Sequence, residues 1–177
     1  MFAELIRKNR GRLPARLLIL MANLWFPFRG AGIKIAYASS DYRRVEVKMR
    51  LTWFNRNYVG THFGGSLYAL TDPFYMMMLI NNLGCDYIVW DKAAKIDFIK
   101  PGRGTVNALF TLTEDDIEHI KSTADRQGKY IFDKKVEVLD ESGEVVASVI
   151  KTLYVRNKKW LGEGGTGDGR RETDHKA

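Results

Sequence analysis

The sequence predicts an α+β fold: a curved antiparallel sheet wrapped around one central buried helix, with an extra helix at the N-terminus. Three observations predict it. The segment from Ser66 to about Leu83 is apolar on every side, and a helix hydrophobic all round belongs inside a protein. The run Arg44-Val45-Glu46-Val47-Lys48-Met49-Arg50-Leu51 alternates polar and apolar residues without error, the pattern of a half-buried strand. Four further strand candidates follow the helix and can supply its cover. A single sheet around so apolar a helix leaves an outer edge or face for a partner, so a homodimer or homotetramer is expected.

The elements follow in order. Residues 1–39 read as an amphipathic N-terminal helix and linker. Five basic residues (Arg7, Lys8, Arg10, Arg12, Arg16) precede the apolar stretch Leu17 to Phe26, which is shorter than the about 20 residues a spanning helix needs. Arg29 and Lys34 separate it from the small residues of Ala36-Tyr37-Ala38, a poor place for signal cleavage. The helix is expected to pack on the domain or to make peripheral contact with a membrane surface, and the expected location is the cytoplasm. Pro27 with Gly30 and Gly32 marks a break. Residues 40–160 form the domain proper, and its central helix ends at Gly84. Strands are expected at Ala93–Ile99, Thr105–Leu112, Tyr130–Leu139 and Glu144–Arg156, the last two joined through Asp140-Glu141-Ser142-Gly143 as a hairpin. Between Thr105–Leu112 and Tyr130–Leu139, Thr113 caps a helix whose first turn holds Glu114, Asp115 and Asp116 and which Gly128 closes. Residues 161–177, rich in glycine and charge, have too little apolar surface to fold and read as a flexible tail.

Composition narrows the function. A chain of 177 residues with 45% hydrophobic content can bury one core without metal or disulfide staples. Cys85 stands alone, reads as a buried structural thiol and fits a reducing compartment. No metal-ligand or redox spacing is present, so neither cofactor is expected. The formal charge of +7 is concentrated at the start and otherwise alternates with acids or apolar residues, and no nucleic-acid-binding signature accompanies it. An anionic small-molecule partner fits better than nucleic acid.

The chemistry concentrates in Asn57-Tyr58-Val59-Gly60-Thr61-His62-Phe63-Gly64-Gly65 and in Asp72, which is the only acid between Glu46 and Asp86. If a helix starts near Gly65, its first amides lack intrahelical acceptors and carry the positive end of the dipole. The glycine pair lets a ligand approach that backbone closely. An oxygen gaining charge during attack on a carbonyl would be stabilised there, and loss of one such donor costs about a hundredfold or more in rate. Asp72, seven positions on, falls two turns down the same face, about 10 Å along the axis of a continuous helix. Two structural readings compete for it: a buried acid paired with a core Arg or Lys, and a cap for a helix restarting at Pro73.

The pattern Asn57-x-x-Gly60-Thr61-x-x-Gly64-Gly65 followed by Asp72 resembles the signature of hotdog-fold acyl-CoA thioesterases of the PaaI-like kind. The strand and turn Ile96-Asp97-Phe98-Ile99-Lys100-Pro101 extend the resemblance, which covers about residues 40 to 156 and is closest to an uncharacterised, thioesterase-like branch. It implies hydrolysis of fatty or aryl acyl-CoA thioesters, with coenzyme A entering only as part of the substrate. The resemblance makes Asp72 the base or nucleophile, Asn57 the group that orients water or carbonyl, and the Gly65 amide the group that polarises the carbonyl. Gly64, Phe63, His62, Lys100 and Arg103 are the implied substrate contacts, the two basic residues for the coenzyme A phosphates. One departure stands out: many relatives carry His just before the glycine pair, where this chain has Phe63, and a step of one residue turns the His62 side chain to the other side of an extended segment. The alternatives are a non-catalytic acyl-CoA or lipid binder and a hotdog dehydratase or hydratase, which needs a His paired with an acid. Met76-Met77-Met78 reads as adaptable core packing.

Overall fold

A computed structural model describes residues 14–161. The basic residues Arg7, Lys8, Arg10 and Arg12 and the glycine-rich tail from residue 162 lie outside the described residues. Helix α1 (Ala15–Leu24) buries Leu18 and Ala22, one turn apart, against the domain. Its Asn23 accepts from the Ile35 amide at 2.8 Å and donates to the Ile35 carbonyl at 3.1 Å, beside a bulge in the first strand. The N-terminal helix is therefore docked on the domain by both apolar and polar contacts.

The stretch expected to break the chain is a second short helix, α2 (Phe26–Ala31). Pro27 fits because the first helical turn needs no intrahelical amide donor, and Gly32, at φ 76°, closes the helix in the left-handed region. Strand β1 (Ile33–Ala38) follows, with Ile33, Ile35 and Ala38 facing the core; it was not expected, because Ala36-Tyr37-Ala38 interrupts the alternation. Strand β2 (Arg44–Arg50) buries Val45, Val47 and Met49 completely, as its pattern predicts. A 3-10 turn at Trp53–Asn55 then leads into the Asn57–Phe63 loop.

The central helix is not continuous. It consists of α3 (Gly64–Ala69) and α4 (Phe74–Leu83), separated by Leu70-Thr71-Asp72-Pro73, and the Asp72–Pro73 peptide is cis. Pro73 has no amide hydrogen to donate and its ring would meet the carbonyl one turn back, so the helix stops and restarts. The single helix expected from Ser66 to Leu83 is corrected accordingly, and so is the placement of Asp72 on an unbroken helical face. Helix α4 still fills the centre: seven of its ten residues are buried. Phe74 and Tyr75 meet Phe110 with ring centroids 5.0 and 5.1 Å apart, and Phe28 of α2 packs on Phe74 at 5.6 Å. Met77 and Met78 are buried core residues.

Strands β3 (Tyr87–Phe98), β4 (Thr105–Thr111), β5 (Lys129–Leu139) and β6 (Val145–Asn157) complete one antiparallel sheet in the order β1-β2-β4-β5-β6-β3. Long ladders join β5 to β6 and β6 to β3, whereas β4 meets β5 only at Asn107↔Leu139 and Ala108↔Val138. The seam between β4 and β5 is thus the narrowest in the sheet. Helix α5 (Glu114–Gln127) has the expected cap, with the Asp116 amide donating to Thr113 Oγ1 at 3.0 Å, and packs on β5 and β6 through Ile120 and Ala124. Asp140 Oδ1 accepts the Ser142 and Glu144 amides at 2.9 and 3.0 Å, which fixes the expected hairpin. Strand β3 begins six residues before the expected Ala93, and among the described residues β6 is its sole partner. Cys85, expected buried, is exposed: it follows Gly84, the C-cap of α4, in the turn into β3.

Candidate functional site

The sequence-predicted residues fall into two places. The first is a cavity of about 330 Å³ lined by Asn57, Thr61, His62, Gly64, Leu67 and the turn Phe98–Gly102, Lys100 included. It exists because the Asn57–Phe63 loop folds back beside the end of β3. Asn57 holds that loop: Oδ1 accepts the Val59 and Thr61 amides at 3.1 and 3.0 Å, and Nδ2 donates to Thr61 Oγ1 at 2.9 Å and to the His62 carbonyl at 3.2 Å. These bonds occupy the two donors and both acceptor sites of its amide. His62, 2% exposed, donates its own backbone amide to Gly102 O at 3.0 Å. Its ring Nε2 lies 3.2 Å from Gly104 O, and Nδ1 is buried with no hydrogen-bond partner among the described residues. Burial pushes the imidazole pKa below that of ordinary histidine, so the ring is neutral at pH 7. Despite its offset from the family position, His62 is in the cavity wall.

Gly64 and Gly65 are the first two residues of α3, so their amides precede any intrahelical acceptor, while the Ser66 and Leu67 amides both donate to Phe63 O. The missing side chains are used by aromatic neighbours. A Cβ on Gly65 would lie 2.4 Å from the ring of Phe63, and one on Gly64 would lie 3.0 Å from that of Phe98. Phe63 is exposed and lies over the glycine that the resemblance makes the carbonyl-polarising group. Lys100 is held by Asp140 Oδ2 at 2.6 Å and by Glu144, whose hydrogen bonds, and then charges, push its pKa up; Arg103 is exposed just beyond the turn.

Asp72 is in the second place and is not among the cavity-lining residues. The break before Pro73 turns its carboxylate toward the sheet, where Lys151 Nζ donates to Oδ1 at 2.7 Å. Of the two structural readings, pairing with a core lysine is the one observed, while Pro73 itself occupies the cap position of α4. Lys151 is 1% exposed; it also contacts Asp91 Oδ2 at 3.2 Å, and the face of Tyr68 lies 5.2 Å from its ammonium. Burial works against the charged lysine, but the hydrogen bond and charge of Asp72 and the charge of Asp91 outweigh it and leave the pKa raised. For Asp91 burial dominates and pushes the carboxyl up; Lys151 pulls it down, and neighbouring Asp72 pushes it up again.

Lys151 and Asp91 escape a search for motifs, yet both carry a signal. Val149, Lys151, Leu153 and Val155 share the inward face of β6, so a lysine interrupts an otherwise apolar row. Asp91 does the same to Tyr87 and Val89 on β3. Among the described residues no group of three or more His, Cys, Asp or Glu side chains is arranged to hold a metal ion, and no helix is long and apolar enough to cross a membrane.

Known structures match the fold. A protein of unknown function from Pseudomonas aeruginosa, described as a probable thioesterase, is 21% identical, with a TM-score of 0.72 over 82% of this chain and 97% of that one. A thioesterase from Haemophilus influenzae is 16% identical, with a TM-score of 0.61 over 82% of this chain and 92% of that one. The PaaI protein of the Escherichia coli phenylacetic acid degradation operon is 16% identical, with a TM-score of 0.51 over 78% and 88% of the two chains. At these identities the likeness establishes the hotdog fold. No curated protein matches the chain. The family model that matches, over residues 14–155 of the 177, is described as a domain of unknown function, DUF4442, and this chain, with its helix-centred hotdog fold, belongs to that family.

Proposed function

We propose that the protein hydrolyses acyl-CoA thioesters, with Asp72 as the base. The observation that carries this reading is a partly solvent-open carboxylate, 44% exposed, held by a buried ammonium where the central helix breaks. In the reaction, water adds to the thioester carbonyl carbon and gives its proton to Asp72. The C–S bond then breaks, and coenzyme A leaves as the thiol with that proton. The amides of Gly64 and Gly65 face the developing oxyanion. Asn57, its amide fully engaged, positions the loop that carries them.

A homodimer completes this site. Among the described residues the outer edge of β3 has no partner, and the stretch of the strand that matters runs from Asp91, beside Asp72, to Phe98, beside the cavity. Those ends are about 23 Å apart at 3.3 Å per residue. Antiparallel pairing of two β3 edges places the Asp72 end of one protomer against the cavity end of the other. The exposed Trp53, Phe54, Tyr58, Phe63, Phe98 and Ile99, which surround the loop and strand end, support such cover.

Asp72→Asn tests the reading on a panel of short, long and aromatic acyl-CoAs. Thiol release should fall at least about a hundredfold with the circular dichroism unchanged; unaltered turnover refutes the assignment. The ring of Phe63 over Gly65 favours one second reading, an acyl-CoA binder without turnover. Stable binding of an acyl-CoA that is not hydrolysed by the wild-type chain selects it.

A further inference from the structure

We propose that Lys151 and Asp91 are positioning residues for Asp72: Lys151 fixes one carboxylate oxygen and leaves the other for the reacting partner, while Asp91 competes for the same ammonium. The inference rests on the reading of Asp72 as the base. Three groups from three elements meet here: Asp72 from the helix break, Asp91 from β3 and Lys151 from β6. Two carboxylates share one cation, and the contacts are unequal, 2.7 Å to Asp72 Oδ1 and 3.2 Å to Asp91 Oδ2.

Asp91 lies deeper. Its side chain is 16% exposed against 44% for Asp72, and its Oδ1 is buried with no hydrogen-bond partner among the described residues. An ionised carboxylate there has less water and a weaker salt bridge than its neighbour, so burial and Asp72 together push its pKa up. Asp72, at the surface and in the shorter contact, is the member a thioester can reach. The surroundings hold few other charges. Lys134, opposite Lys151 on β5, is engaged by Asp116 of α5 at 2.7 Å; the opposite position on β3 is Ala94; Lys92 stands exposed in the β3 bulge; and α3 presents the ring of Tyr68. The charge state of the site is thus set within the trio.

Two substitutions should move the acid limb of the kcat/KM–pH profile in opposite directions. Lys151→Met keeps the buried volume but removes the cation, and the limb should rise by at least about one pH unit, since an opposite charge at this range is worth about 1–3 units. Asp91→Asn leaves Lys151 to Asp72 alone, and the limb should fall by about half a unit. A role confined to structure lowers activity or stability without moving the limb. An unmoved limb in folded Asp91→Asn, or a shift upward, overturns the proposal, and this variant decides the matter should Lys151→Met fail to fold. If the wild-type chain hydrolyses no acyl-CoA, the proposed function fails separately. Carbon-13 carboxyl NMR then follows Asp91: a titration that moves to lower pH in Asp72→Asn upholds the coupling, and an unmoved one overturns it.

Discussion

Replacing Asn55 by alanine should destabilise the domain by about 3 kcal/mol. Asn55 is 1% exposed at the end of the 3-10 turn, where its side chain ties three segments together. Nδ2 donates to Arg50 O at 2.8 Å, at the end of β2, and to Ala31 O at 3.0 Å, at the end of α2; Oδ1 accepts the Thr52 amide at 2.7 Å. Truncation leaves two carbonyls and one amide unsatisfied, while the hydroxyl of exposed Thr52, which also donates to Oδ1 at 3.2 Å, can turn to water. Each such group costs about 1–3 kcal/mol when buried, and part of the loss returns as water enters, so a value near the low end of the sum, about 3 kcal/mol, is expected. For a domain of this size that corresponds to a fall in Tm of about 6–12 °C. Urea unfolding monitored by tryptophan fluorescence measures it, with an unchanged m-value confirming that stability alone moved. The substitution also loosens the site, because the Asn55 carbonyl accepts the Phe63 amide at 2.8 Å at the entrance to α3. A loss below about 1 kcal/mol, the net worth of one ordinary hydrogen bond, refutes this accounting of the three bonds.

Acid should weaken the fold modestly through its paired surface carboxylates. The Ser39 hydroxyl, followed by Arg43, lowers Asp41 to about 2, and the Lys100 ammonium with Ser142 holds Asp140 well below the carboxylate range. Groups with lowered pKa stabilise the fold above the unfolded value of about 3.9 and lose that contribution as pH falls through the folded value. Urea midpoints should therefore decline between about pH 4 and pH 2, less steeply in Asp140→Asn; equal slopes for both chains contradict the assignment. Asp91 has the opposite sign, its contribution being present at low pH and lost as pH rises. The exposed Leu20, Leu24 and Phe26, the last 84% exposed, lie near Arg16 and Arg29 and form an apolar ridge with basic flanks. We expect the full chain to float with anionic vesicles and the double variant Leu20→Glu, Phe26→Glu to float less; identical flotation of the two removes the N-terminal helices from any membrane contact.

Local chemistry explains what was legible in the sequence. The alternation of β2, the Thr113 cap and the Asp140 turn are each complete within a dozen residues, and each is found as read. The central apolar run was legible as the core helix, but its uniform hydrophobicity hid the break that Pro73 enforces. Pro27 misled for a related reason, since the same residue that stops a helix also begins one. For the site, the loop residues Asn57, His62 and Gly64 do gather around one cavity. What escaped was the partner of Asp72, because Lys151 lies 79 positions away and only strand register brings it inward. The separation of Asp72 from the cavity within one chain follows likewise from where the helix breaks, which local periodicity does not encode.

The narrow seam between β4 and β5 makes this sheet a clamshell of two three-stranded valves. Inside either valve the ladders are long, yet across the joint two residue pairs, helped by Asn107 Nδ2 on the Leu139 carbonyl at 3.3 Å, carry the whole connection. Cohesion between the valves therefore runs through the helix they close on. From that helix Tyr75 spans the joint, its ring against Phe110 of one valve and its hydroxyl donating to Lys135 O of the other at 3.0 Å. Tyr75, in the first turn after Pro73, thus acts as the clasp, and the same helix restart that leaves Asp72 at the surface delivers the residue that holds the shell shut.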